Sequence, residues 1–281
     1  MTHDAPGGDT TVIEPSRGWA AVLPRFGELL RYRELLFFLV WRDLKVRYKQ
    51  TAFGIAWALI QPLVATLVLW VFFGKLAGVS SEGVPYALFA YSGLLAWQLF
   101  SNALTGAANS LINNQALVKK VYFPRLLLPA AAAGEGVVDF VIGLAVLVVL
   151  MVFAGVTPTI NLVYLPLFIL LSVLAALAAG LWLGALNALY RDVRYTLPFL
   201  LQIGFFATPI AYSTSAVDER FRPLLGLNPL VGAVEGVRWS LFGTRFSLGM
   251  EVWVSVAVVV GTLLGGLLFY RRKERNFADV L

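Results

Sequence analysis

The chain runs to 281 residues, 59% of them hydrophobic and only 14% charged, with a formal net charge of +6. An ordinary soluble domain carries roughly 25% charged residues, so a water-soluble globule is excluded. Cysteine is absent and His3 is the single histidine, which rules out disulfides and thiolate metal sites and leaves little for acid–base catalysis.

Residues 1–27 are rich in Gly, Pro and Asp and read as a mobile N-terminal tail, with His3 inside it. Between Met1 and Pro24 no positive cluster precedes an apolar core, so no cleavable signal peptide is expected. The first membrane span then serves as the insertion signal. An interface helix is expected over 28–50. There Phe37, Val40, Trp41, Leu44 and Tyr48 recur at helical spacing, while Arg42, Asp43, Lys45, Arg47 and Lys49 cover the remainder. Such a helix lies in the headgroup plane, its apolar face buried and its cations on lipid phosphate. Two roles fit it: a plain anchor, or a lever pushed by a cytoplasmic partner.

Beyond it, the stretches 50–74, 83–118, 140–190, 195–217 and 252–270 contain no charged side chain. Crossing ~30 Å of hydrocarbon at about 1.5 Å per residue takes about 20 apolar residues. The 51 residues between Asp139 and Arg191 therefore read as two spans and a tight bend. Six spans result, at about 52–73, 86–107, 130–153, 161–189, 195–213 and 252–270. Gln61-Pro62 places a kink in the first, tolerable where neighbouring helices cover the broken backbone bond. The second holds an aromatic cluster at Trp97 and Phe100. Residues 113–125 follow, polar then basic, with Leu117, Val121 and Tyr122 at helical spacing and nothing in the bilayer to pack on. That stripe calls for a cytoplasmic protein partner.

In the third span Glu135 and Asp139 stand four residues apart, on one helix face. A charged carboxylate costs at least ~2.5 kcal/mol near the helix centre, less towards the interface, unless it is paired or faces water. The two either hydrogen-bond a neighbouring helix or reach the interface, or else they line a water-filled pathway. The bend to the fourth span falls at Gly155–Asn161, a turn mixture, and Arg191–Arg194 forms a second, very short connection. After the fifth span, 221–243 is apolar yet too short to cross, which implies helices that dip into the membrane and return, or lie along its surface. Asn228-Pro229 reads as a helix start, Asn as cap and Pro at the first helical position. Glu235 and Arg238, three apart, are spaced to neutralise each other.

With the first 50 residues inside, cytoplasmic segments collect 17 Lys/Arg and the opposite side five. That asymmetry places both termini in the cytoplasm and assigns the basic excess to orientation rather than to nucleic acid. No phosphate-cradling Gly-x-x-x-x-Gly-Lys-Ser/Thr loop occurs, so ATP hydrolysis is not expected of this chain alone. No His-Glu-x-x-His, paired-Asp or Ser/His/Asp set occurs either, and a membrane-embedded glycolipid-modifying enzyme has almost no groups to work with.

The string Trp41-Arg42-Asp43-Leu44-Lys45-Val46-Arg47-Tyr48-Lys49-Gln50-Thr51, with Gly54–Ala58 and Gln61-Pro62 after it, resembles the start of the permease subunits of polysaccharide and polyol-phosphate ABC exporters, which move O-antigen, capsule or teichoic-acid chains. Lys119–Arg125, Val138-Asp139-Phe140, Arg191-Asp192-Val193, Asn228-Pro229 and Glu235–Trp239 fall in the same order as in that family. The resemblance covers about residues 30–275; the departures are the N-terminal tail and Glu135, where an uncharged residue is expected. It implies an all-α, six-span permease domain over 28–281 in the bacterial inner membrane, one half of a homodimeric pore. Two copies of a separate ABC ATPase would bind ATP and Mg, with no cofactor in this chain and membrane lipids around it. Coupling to that ATPase would fall on Phe37, Trp41, Arg42 and Lys45, on Leu117, Lys119, Lys120, Val121, Tyr122 and Arg125, and on Arg191 and Asp192. The transport pathway would involve Trp97, Phe100, Asp139, Phe205, Phe206, Glu235, Arg238 and Trp239. The implied cargo is a glycan on a polyprenyl diphosphate lipid. The alternative is the permease of a related exporter for a drug or simple lipid.

Overall fold

A computed structural model describes residues 31–49, 55–121, 123–190, 192–244, 250–274 and 277, and all regular structure among them is helical. In chain order come α1 (Arg33–Lys49), α2 (Ile55–Leu69, continued by a π-helical turn, Trp70–Leu76), α3 (Tyr86–Asn113), α4 (Gln115–Lys120) and α5 (Leu127–Phe153). A 3-10 turn, Ile160–Tyr164, leads into α6 (Leu165–Leu189). Then follow α7 (Asp192–Ala207), the short α8 (Arg222–Leu225), α9 (Val231–Phe242) and α10 (Met250–Glu274). The expected N-terminal tail, Tyr122 and Arg191 lie outside the described residues.

Among the described residues, four helical stretches are long and apolar enough to cross a membrane: Leu59–Leu76, Leu127–Phe153, Ile160–Leu189 and Met250–Glu274. The other two expected spans are helices of a different kind. α3 has 28 residues but carries Ser, Asn, Gln and Thr along its length. Its surroundings explain that composition. One set of its side chains, Trp97, Phe100 and Leu104, packs with Ala175, Ala176 and Leu197, while another, Leu88, Tyr91, Leu95 and Leu99, packs with Phe140, Leu147 and Phe168. A helix surrounded by protein need not be apolar enough for lipid.

α7 departs further from expectation: the segment 195–213 is helical only as far as Ala207. Thr208-Pro209 supplies the reason, because proline lacks an N–H and its ring drives the preceding residue out of the helical region. The start of α9 also shifts. Asn228 caps a turn, its Oδ1 accepting from Leu230 N at 3.0 Å, and the helix itself opens at Val231.

Small residues let the central helices approach closely. A Cβ placed on Gly180 of α6 would lie 2.6 Å from Ala107 Cβ, and one on Gly184 would lie 3.1 Å from Ala107 O. In lipid, where apolar burial gives no drive between helices, such close backbone packing is a main source of association.

Two ends follow from the helix directions. The end of α3 and α10, with α1, α4 and the start of α5, carries the basic residues and is called the basic end below. The turns 77–85 and 154–159 and the segment 208–244 form the far end.

Candidate functional site

At the basic end, α1 lies against α5. Leu39 is 1% exposed, and it packs with Val40 and Leu36 on Leu127, Leu128 and Ala131. The expected stripe is not a single inward face: Phe37 and Trp41 are 71% and 57% exposed, and the side that meets protein is Leu36, Leu39, Val40, Asp43 and Arg47. Two apolar faces exist on this helix, and polar contacts select the inner one. Arg47 pairs with Asp139 at 2.8 Å and with Glu135 at 3.9 Å. The Tyr48 hydroxyl donates to Asp139, and Asn102 Nδ2 donates to its other oxygen at 3.2 Å. Burial, then the bond to Asp139 and its charge, push the Tyr48 hydroxyl up to about 12, so it stays a donor. The two carboxylates thus differ: Asp139 is hydrogen-bonded to neighbouring helices, whereas Glu135 borders the cavity described next.

Arg42 reaches the next hinge along the chain. Its Nε donates to Asp43 Oδ1 at 2.7 Å, and its Nη2 to Oδ1 of Asn114 at 2.7 Å. Asn114 is the residue that separates α3 from α4. Arg42, Arg47, Asn113, Asn114 and Glu135 border a cavity of about 450 Å³ beneath α1.

Within α4, Val118 is buried and Leu117 half-buried against the same core that holds Leu39, while Lys119, Lys120 and Val121 are exposed. The expected stripe is thus divided, Leu117 leaning inward and Val121 outward. Arg125 is half-buried and held from behind. Its backbone N donates to Glu274 Oε1 at 3.2 Å, its guanidinium donates to Glu274 O, and Tyr270 OH donates to Arg125 O at 3.2 Å. The end of α10 therefore clasps this segment from behind, and Phe277, fully buried, meets Tyr270 edge to face at 5.2 Å. Asp192, exposed, opens α7, where a carboxylate suits the positive end of the helix dipole. Lys45 is exposed as well.

Four of the expected pathway residues come together. Trp97 lies 5.7 Å from Phe100 and 5.8 Å from Phe205 on α7, and Phe205 lies 5.4 Å from Phe206. Phe206 is 69% exposed, so this aromatic run leads from inside the bundle to the open face of α7. A recess of about 260 Å³, lined by Trp97, Phe100, Leu197, Leu201 and Pro229 among others, adjoins it. The remaining residues sit elsewhere. Trp239 contacts Tyr164 and Phe168 at 5.4 and 6.3 Å, and Asp139 belongs to the basic end. Glu235 and Arg238 pair at 3.3 Å as their spacing implies, but Arg238 has no exposed surface.

Sequence reading missed Asn102, Asn114 and Glu274, each a polar partner from a distant part of the chain. A usable signal existed for Glu274 alone, as the single carboxylate in the basic stretch 271–275.

A model of the ABC-2 type transporter family matches residues 34–242. The chain is similar to the O-antigen export system permease protein RfbA of Myxococcus xanthus, with 31% identity over 255 residues, covering 90% of this chain and 97% of that protein. A protein of the same name from Klebsiella pneumoniae is 27% identical over 251 residues, covering 88% and 95%. The polysialic acid transport protein KpsM of Escherichia coli is 23% identical over 237 residues, covering 83% and 91%.

Proposed function

The chain belongs to the ABC-2 type transporter family of membrane proteins, and from that premise we propose that it is the permease of an ATP-driven polysaccharide exporter. Its cargo is a glycan on a polyprenyl diphosphate carrier, moved from the cytoplasm across the inner membrane. The observation that carries this reading is the end-to-end similarity to an O-antigen export permease, with matched residues running through both the basic end and the far end.

The geometry supports a division of labour. Exposed Lys119 and Lys120 end α4 and exposed Val121 follows them, and this segment is backed by α1, by the start of α5 and by the clasp of α10. An ATPase pressing there would push on a braced element whose hinge, Asn114, is tied to α1 by Arg42. ATP and Mg belong to that partner. A second copy of the chain completes the pore, and we assign to it the open face of α7, on which Leu197 is the only buried side chain and the Trp97–Phe206 aromatic run emerges. Sugar rings stack well on aromatic faces. α3 and α7 count as the second and fifth of six spans, α8 and α9 as re-entrant, with the basic end and both termini in the cytoplasm.

Co-expression with the ATPase, followed by detection of lipid-linked glycan on the outer leaflet, tests the function. Export that needs both proteins, and an isolated chain without ATP hydrolysis, are the expected results. Stimulation of the ATPase by a drug or phospholipid but never by lipid-linked glycan would transfer the assignment to the amphiphile exporter. Because the chain lacks cysteine, single cysteines at Ser81, Ser215 and Asn113 report topology directly. The first two should label from outside intact cells, and labelling at Asn113 would reverse the orientation.

A further inference from the structure

α7 has 16 residues, about 24 Å at 1.5 Å per residue, less than the ~30 Å of hydrocarbon. Past Ala207 the chain continues without helix, yet Thr208, Ile210 and Ser213 are 1%, 0% and 0% exposed. Irregular backbone at membrane depth persists only where protein satisfies its polar groups. Here the carbonyls are taken one after another. Asn228 Nδ2 donates to Ala207 O at 3.2 Å, Arg238 Nη1 to Pro209 O at 2.7 Å, Arg238 Nη2 to Ile210 O at 2.6 Å and Tyr86 OH to Ala211 O at 2.8 Å. Glu82 in the 77–85 turn accepts from the hydroxyls of Ser213 and Ser215.

Arg238 is the hub. Its Nε donates to Phe89 O on α3 at 3.3 Å, its guanidinium carbon lies 3.5 Å over the Phe89 ring, and Glu235 balances its charge. A Cβ on Gly93 would stand 2.6 Å from Nη2, so α3 leaves a notch for this group. Lysine, a point charge on a flexible stem, lacks the planar fork that reaches three elements at once. The two ends of α9 are fastened separately. Ser255 on α10 accepts from Gly232 N at 3.3 Å and donates to Pro229 O at 2.9 Å. Thr159 donates from Oγ1 to Ser240 O at 3.1 Å and from N to Leu241 O at 3.3 Å.

We infer that Arg238 is a positioning residue that replaces the missing last turn of α7 and binds α9 to α3 and α7, so that α9 travels with the body of the permease and does not swing as a flap. Movement of α9 on its own would break three separate attachments and strand a guanidinium and two carbonyls in an apolar setting.

Two measurements test this, and only the first depends on the export reading. In Gly232→Cys/Ser255→Cys the β-carbons would stand 3.5 Å apart, at the short end of disulfide geometry. With its ATPase, the cross-linked permease should export at the rate of the reduced one; loss of export on oxidation, restored by a thiol reductant, overturns the inference. In the second, detergent-purified Ile210→Cys should stay unreactive to a water-soluble maleimide while Arg238 is present, and should become reactive in Arg238→Gln and in Arg238→Lys. Reaction with Arg238 in place, or protection that survives Arg238→Gln, overturns the positioning role even if export itself is never observed.

Discussion

Both ends of the bundle hold an arginine in an ion pair, with one carboxylate at the far end and two at the basic end, and the two sites differ in what surrounds the charges. At the far end, Arg238 and Glu235 have side-chain exposures of 0% and 9%, and the guanidinium also takes three backbone carbonyls. At the basic end, Arg47 is 41% exposed, its partners Asp139 and Glu135 are 11% and 20% exposed, and the bonds around them run largely between side chains beside a cavity of about 450 Å³. Carbonyls cannot change rotamer, whereas side chains next to open space can. The same ion-pair chemistry is therefore locked into backbone at the far end and held by side chains beside open space at the basic end.

The comparison breaks first at Arg238. Replacing it with Gln removes one partner of a buried pair, a change that typically costs about 3–5 kcal/mol. Thermal unfolding of the purified permease should show the largest loss of any single variant described here, and a shift no greater than that of a surface change would mean that the pair is not structural. Val121→Asp comes next. Val121 is 51% exposed, so folding and thermal stability should stay at the wild-type level. If Val121 sits in the ATPase contact, a charge there should cost about 2–4 kcal/mol of affinity, read by co-purification of the ATPase and by export. Retained export with the ATPase bound would reduce α4 to a loop.

Arg47→Ala should be milder than Arg238→Gln, about 1 kcal/mol, because the group is partly solvated and Asp139 keeps Tyr48 and Asn102. Equal losses for the two arginines would erase the contrast between the ends. The smallest effect belongs to Lys119→Ala, at roughly 0–1 kcal/mol, since exposed charges contribute little. ATPase binding that collapses on this change alone would put Lys119 at the centre of the contact instead of its rim.

Local spacing made the far-end pairing and the short helices around it legible in the sequence. The spacing of Glu235 and Arg238 announced their pairing, and the apolar 221–243 announced short helices rather than a soluble loop. The partners of Arg125 and Arg42 were not legible. Glu274 lies 149 residues from Arg125, and Asn114 lies 72 from Arg42, and no local period links residues that far apart.

What the sequence alone determined was the helical, membrane-embedded class, because hydropathy and charge-free length act over one or two turns of chain, and the family, through its ordered motif strings. Tertiary structure decided which face of α1 turns inward, what satisfies the carbonyls where α7 ends, and what becomes of Arg238. Each of those depends on a group supplied from elsewhere in the fold: Asp139 from α5, Asn228 from before α9, and the Phe89, Pro209 and Ile210 carbonyls around one guanidinium. A buried polar atom must find a partner, and which partner is within reach is a property of packing rather than of composition.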